Sequence, residues 1–148
     1  MDSFSFVLNN TPWQRAASCF VRMTVFVLER HIPIQDEFDE NDGDGTTYAV
    51  AYEGELPVAT ARFTKVADGF AKITRVATIK DYRGYHLGSK LIQLMEEYAA
   101  SEGIEKLDIH SELTAVEFYK KNGYVLSSEV YLEDGVECQT LTKTIIDK

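Results

Sequence analysis

The stretch RVATIKDYRGYHLGSKLIQLMEEY, from Arg75 to Tyr98, joins an alternating apolar run to a helical one through a turn that holds Arg83, Gly84 and Gly88. Before the turn, Ile73, Ala77 and Ile79 fall on one side at a period of two, with Lys72, Thr74 and Thr78 opposite, which predicts a strand over Phe70 to Ile79. After it, Leu87, Leu91, Leu94, Met95 and Tyr98 recur at helical spacing and mark a buried face. The first turn of a helix carries unpaired N–H groups and the positive end of the helix dipole, so the junction is a candidate pyrophosphate cradle. Neither Gly84 nor Gly88 presents a Cβ, and both are expected to let backbone approach a phosphate closely. Arg83, Lys80 and Lys90 would add positive charge.

The elements around this turn must hold it in place. Phe4 to Leu8 is predicted as a first strand, and Thr11 followed by Pro12 is a helix start, a hydroxyl cap before a residue that needs no N–H partner there. Trp13, Ala16, Ala17 and Phe20 are the expected buried stripe of that helix, which should end between Thr24 and Glu29, and Ile32 to Gly45 is expected to be a loop. Thr47 to Tyr52, Leu56 to Val66 and Phe70 to Ile79 form a predicted antiparallel meander with turns at Gly54 and Asp68-Gly69. A strand over Lys106 to His110 and a helix over Leu113 to Asn122 follow, then a hairpin of Val125 to Tyr131 and Val136 to Ile145 turning at Asp134-Gly135. The order β, α, β, β, β, α, β, α, β, β predicts an α/β (α+β) chain with helices packed on a mixed sheet. At 148 residues, one domain over 1–148 is expected.

Composition narrows the function. A net charge of −9 argues against nucleic acid as a partner, since its binders present basic faces. No apolar run approaches the roughly 20 residues that cross a bilayer, and MDSFSFVLNN lacks the basic start and apolar core of a secretory signal, so no membrane partner and a cytoplasmic location are expected. Cys19 and Cys138 are unpatterned and read most simply as buried thiols. His31, His86 and His110 show no metal-ligand spacing, so no metal is expected.

The run RVATIKDYRGYHLGSKL resembles the acyl-coenzyme A signature of the GNAT acetyltransferase superfamily, with Arg83 and Gly88 at its fixed ends and His86 at the inner glycine position. His86 still offers a backbone N–H there but disfavours a positive φ. A second run, FYKKNGY from Phe118 to Tyr124, is similar to one that GNAT proteins carry after their fifth strand, and two motifs in the right order are more specific than either alone. The resemblance spans Thr47 to Thr144, and VFVLER followed by DEFDENDGD resembles the ElaA-like branch. It implies a mixed, mostly antiparallel sheet whose fourth and fifth strands splay apart. Acetyl-CoA would lie in the gap as cosubstrate, paired to backbone of Val76, Ala77 and Thr78, with its pyrophosphate on Arg83, Gly84, Tyr85, His86, Leu87, Gly88 and Ser89. It also implies that Tyr119 protonates the departing thiolate, and it leaves a homodimer open.

Acetyl transfer to an amine needs a neutral amine, a partner for the oxyanion and an acid for the thiolate. Backbone N–H groups near Ala77 or Thr78 would hold the oxyanion. On spacing alone Tyr119 reads as a core aromatic beside Phe118 and Ala115, and the motif favours the acid. Lys72 stands where some relatives place a glutamate base, so His110 at the end of the fifth strand is the better candidate, with an ordinary polar strand residue or a water chain as alternatives. With Gly45 as the invariant glycine, a calcium loop would start at Glu40 and place Ala51 at its twelfth position, where glutamate is needed, so the acidic segment Asp36 to Asp44 fails that test. Either it is a solvated acidic loop, or Glu37 and Asp39 draw in a cationic amine. The expectation is an N-acetyltransferase acting in a ternary complex on a small amine or amino sugar. The alternatives are a protein N-terminal or lysine acetyltransferase and a non-catalytic coenzyme A binding module.

Overall fold

The computed structural model describes residues 3–133 and 135–145. One eight-stranded sheet forms the body, in the order β1 (Phe4–Asn9), β2 (Thr47–Glu53), β3 (Leu56–Ala67), β4 (Phe70–Thr78), β5 (Lys106–Glu112), β8 (Val136–Thr144), β6 (Val125–Leu126), with β7 (Tyr131–Glu133) also against β8. The β4–β5 pair is parallel and the others antiparallel, as expected of a mixed sheet. Gly54 and Gly69 take positive φ at the two meander turns, a conformation that costs glycine nothing. The predicted strand Val125 to Tyr131 is broken instead. Thr140 N–H donates to Ser128 Oγ while Ser127 N–H donates to the Thr140 carbonyl, and the chain resumes pairing only at β7. Asp134 of the predicted final turn lies outside the described residues.

Helix α3 (Leu87–Ser101) covers one face, burying Leu87, Leu91, Ile92, Met95 and Ala99 against Ala59, Ala61, Phe63 and Ile73. Side chains alternate along β3, so Thr60 and Arg62 point to the other face, where α1 (Pro12–Arg22) lies. Thr11 caps α1 as expected, its hydroxyl accepting from Gln14 N–H at 3.2 Å.

The buried face of α1 is the opposite of the predicted one. Trp13 and Phe20 are 56% and 46% exposed, while Gln14, Ser18 and Arg22 are fully buried. Each buried polar group has partners. Gln14 Nε2 donates to the Val7 and Tyr48 carbonyls at 2.8 and 3.0 Å, tying β1 to β2, and Ser18 Oγ accepts from the Thr60 hydroxyl at 2.7 Å. Burial of polar groups becomes acceptable when every one is hydrogen-bonded, and that satisfaction is invisible to a hydrophobicity pattern. The helix also does not stop at Arg22, because a π-helical turn over Met23–Glu29 carries it on to Glu29 and Arg30. The loop beyond contains one helical turn, α2 (Ile34–Glu37).

Strand β4 does not keep one period. Thr60 pairs with Ala77 but Arg62 pairs with Thr74, so β4 holds one extra residue, a bulge marked by Arg75 at φ 55°. Ile73 therefore faces the α3 side, whereas Ala77 packs with Val21, Val25 and Ile79 on the α1 side. The expected shared side for Ile73, Ala77 and Ile79 is corrected by this switch.

Candidate active site

The parallel ladder between β4 and β5 runs only from Phe70–Lys106 to Ile73–Ile109. Beyond it the strands diverge, and a cavity of about 400 Å³ opens between Thr74–Val76 and His110–Glu112. The segment Arg30–Pro33, the α2 residues Asp36 and Glu37, and Tyr119 complete its wall. Ile79 N–H donates to the Val58 carbonyl, so by antiparallel alternation Ala77 faces β3, while Val76 and Thr78 turn their backbone groups toward the gap. The Thr78 carbonyl accepts from Arg83 Nε at 2.9 Å, in keeping with that alternation.

The turn after β4 is a 3₁₀ turn (Lys80–Tyr82) followed by Gly84 at φ 95° and His86 at φ 62°. His86 adopts the positive φ that it was expected to disfavour. Histidine is among the residues enriched in the left-handed region, and the conformation starts α3 with Lys90 N–H donating to the His86 carbonyl. Tyr82 and Tyr85 pack edge-on to Phe4 at 6.2 and 5.6 Å, which fixes the turn against β1. Arg83 also grips Glu29 with two bonds of 2.9 and 2.8 Å, and that hydrogen-bonded charge holds the Glu29 carboxyl below its ordinary range. Leu87, Gly88 and Ser89 form the first turn of α3, and Ser89 Oγ accepts from Asn122 at 3.4 Å.

The glycines have different reasons. A Cβ on Gly84 would meet nothing, so its requirement is the backbone angle alone. A Cβ on Gly88 would lie 3.1 Å from Phe118 Cζ, so this position lets α3 close on α4 (Val116–Lys121). Packing between helices is thus a second reason for a glycine at Gly88, beside the expected approach of a phosphate. Gly88→Ala should destabilise the fold by about 1 kcal/mol through overpacking. In a Phe118→Leu background the cost should vanish, a coupling that urea denaturation of the double-mutant cycle reads directly.

Tyr119 is 7% exposed and belongs to the core, yet it also lines the cavity, so both readings of this residue have a structural counterpart. Burial, and then the charge of Glu112, push its phenol well above the usual range. It therefore stays protonated at neutral pH. His110 lines the same cavity, with Nδ1 3.1 Å from Glu133 Oε1 and its ring edge-on to Tyr131 at 5.9 Å. At the mouth Arg30 pairs with Glu112 at 2.7 Å. Glu29 and Arg30 close the run VFVLER but had no role assigned there, and Tyr131 and Glu133 fall in no motif.

Within the acidic segment Asp36, Glu40 and Asp44 are exposed, whereas Glu37, Asp39 and Asp42 are engaged by arginines. Arg22, fully buried, bonds Glu37 at 2.9 Å and Asp42 at 2.7 Å. Arg62 bonds Asp39 at 2.9 Å and Asp42 at 3.1 Å, and Arg75 bonds Glu37 and Asp39, both at 3.2 Å. Burial acts against the Asp42 carboxylate, but Arg22, the Tyr48 hydroxyl and Arg62 outweigh it and hold the group far below its ordinary range. Three arginines on α1, β3 and β4 thus clamp the segment beside the cavity and fix the bulge at Arg75. Cys19 and Cys138 form no disulfide, Cys138 is buried, and burial pushes the half-buried Cys19 thiol upward. Among the described residues no group of three or more His, Cys, Asp or Glu is arranged to hold a metal, and no helix is long and apolar enough to cross a membrane.

A splayed β4–β5 pair beside a strand-to-helix cradle is the architecture of acyl-coenzyme A acyltransferases. Residues 13–124 match the family model described as acetyltransferase (GNAT) family. An uncharacterized acetyltransferase in the arcA 3' region of Streptococcus pyogenes is 45% identical over 111 residues, 75% of this chain and 76% of that protein. The uncharacterized N-acetyltransferase YjcF of Bacillus subtilis is 35% identical over 118 residues, 79% of this chain and 83% of that one. A crystal structure of a protein from Lactobacillus plantarum superposes with a TM-score of 0.93 at 37% identity, covering 98% of this chain and 100% of the other. Escherichia coli ElaA shares the fold, with a TM-score of 0.81 at 24% identity over 97% of this chain and 99% of its own. The chain belongs to the GNAT acetyltransferase family.

Proposed function

We propose that the chain, acting as one domain, moves an acetyl group from acetyl-CoA to the amine of a small molecule by direct transfer in a ternary complex. The observation that carries this is one cavity between diverging strands, lined at once by Tyr119, His110 and Val76, with β4 running on from Val76 to the Arg83 turn. The site residues fit the cosubstrate. Val76 and Thr78 present backbone to the gap, Gly84 and His86 open the first turn of α3, and Arg83 supplies a guanidinium whose bonds to Glu29 can be exchanged for phosphate oxygens. Acetyl-CoA supplies the thioester.

His110 takes the proton of the incoming ammonium, a backbone N–H of Val76 or Thr78 stabilises the oxyanion, and as the C–S bond breaks the Tyr119 hydroxyl donates to the departing sulfur while the second proton, shed by the new amide nitrogen, returns through solvent to Tyr119. No protein nucleophile is needed. Because burial holds the Tyr119 phenol far above an ordinary thiol, at about 8.5, the hydroxyl acts first as a hydrogen-bond donor and yields its proton only as it is itself reprotonated. The cavity suits a small acceptor in size, and Asp36, which makes no ion pair among the described residues, is the carboxylate on its wall left to attract an ammonium.

Calorimetry with acetyl-CoA tests the cosubstrate site. Arg83→Gln should weaken binding by roughly tenfold, with a smaller loss at high salt. Unchanged affinity would remove the turn from the site.

A further inference from the structure

We propose that Glu133 is a positioning residue for the base, holding His110 in the tautomer that leaves Nε2 as a proton acceptor. This rests on His110 being the base of an acetyl transfer. Glu133 Oε1 lies 3.1 Å from His110 Nδ1. An ionised carboxylate can only accept, so in this contact Nδ1 carries the hydrogen and the lone pair of the neutral ring sits on Nε2. Without that partner a histidine in water favours the other tautomer, which would present a hydrogen where the acceptor's proton must go.

The short strand β7 is placed for this task. Tyr131 and Glu133 are two residues apart and share one face of the strand, and β7 is paired to β8 from Tyr131–Cys138 to Glu133–Val136. His110 pairs with Thr140 on the same β8, so both β7 side chains come against the imidazole. The Tyr131 ring meets it edge-on at 77°, and the Tyr131 hydroxyl is bonded to Thr140 Oγ1 at 2.9 Å. One strand face thus supplies a ring contact that sets the imidazole plane and a carboxylate that sets its hydrogen. The other charged groups of the cavity wall are the Arg30–Glu112 pair, Arg75 with Glu37, Asp36 and His31, while Asp108 on β5 accepts from Thr142. None of these has a bond to the ring of His110.

Long-range proton–nitrogen correlation of the His110 ring in the full chain, without substrate, reads the tautomer directly. The wild type should carry the hydrogen on Nδ1 at neutral pH, and Glu133→Ala should move the population toward Nε2. Hydrogen on Nε2 in the wild type, or an unmoved population in Glu133→Ala, overturns the proposal and leaves the acetyltransferase reading untouched. With acetyl-CoA and glucosamine as donor and acceptor, Glu133→Gln should lower kcat by about tenfold to 100-fold, with acetyl-CoA affinity unchanged. A wild-type kcat in Glu133→Gln alongside an impaired His110→Ala overturns the pairing alone. Wild-type rates in both variants overturn His110 as base and the pair with it.

Discussion

Tyr119→Phe should reduce the single-turnover rate of acetyl transfer by about 10² to 10³ while leaving acetyl-CoA affinity nearly unchanged. The substitution deletes one oxygen and keeps the ring, whose edge contacts with Phe118 at 5.0 Å and Tyr124 at 6.4 Å belong to the core. Stability should therefore hold, and loss of rate can be assigned to the hydroxyl. The expected size follows from a donor that meets charge developing on sulfur in a nearly dry site, where a hydrogen bond is worth more than in water. Slow product release would mask such a defect in steady-state kcat, so rapid mixing of the preformed complex is the measurement that isolates it. A wild-type rate under those conditions would leave Tyr119 as a packing residue.

Arg22→Met should cost about 3–5 kcal/mol of folding stability, a fall of roughly 10–15 °C in Tm. Arg22 is fully buried and spends its guanidinium on Glu37 Oε2, the Glu37 carbonyl and both oxygens of Asp42, at 2.7 to 2.9 Å, with Phe38 stacked at 4.8 Å. Methionine fills much of the volume but strands the two carboxylates on fewer partners. The deficit should depend on pH with a definite sign. The folded pKa of Asp42 is depressed, so its contribution is fully present above the unfolded carboxylate range near pH 4 and is lost as pH falls through the lower folded value. Asp39 is depressed too: burial opposes its charge, and Arg62 outweighs it. Glu37 acts in the opposite sense, because burial outweighs its arginines and raises its carboxyl. Urea denaturation should thus show the gap between wild type and variant narrowing below about pH 4. A gap that stays constant through that window would mean the cost is packing rather than charge.

The sheet was largely legible because its signals are local. Turn signals bound β2, β3 and β4, with glycines standing where Gly54 and Gly69 need positive φ, and the spacing of Leu87, Leu91 and Met95 gives the buried face of α3. The polar face of α1 was not, since Gln14, Ser18 and Arg22 are buried only because Tyr48, Thr60, Glu37 and Asp42 meet them from other elements. The bulge at Arg75 hid for a similar reason: one extra residue shifts the faces of β4, and the ion pairs that hold it come from Glu37 and Asp39. A run of carboxylates reads as solvated until the arginines that face it are known. The turn before α3 and Tyr119 were singled out through motifs, whereas Glu133 depends on β7 folding back along β8, a long-range pairing that no local pattern announces.

The most direct test of the central claim is release of thiol from acetyl-CoA by the wild-type chain across a panel of small amines, amino sugars, peptide N-termini and lysine peptides, with products weighed by mass spectrometry. Acetyl transfer from acetyl-CoA to a small amine or amino sugar, absent with the peptides, is the predicted result. Tight binding of acetyl-CoA with no acetylated product from any amine would contradict it and leave a coenzyme A binding module in its place.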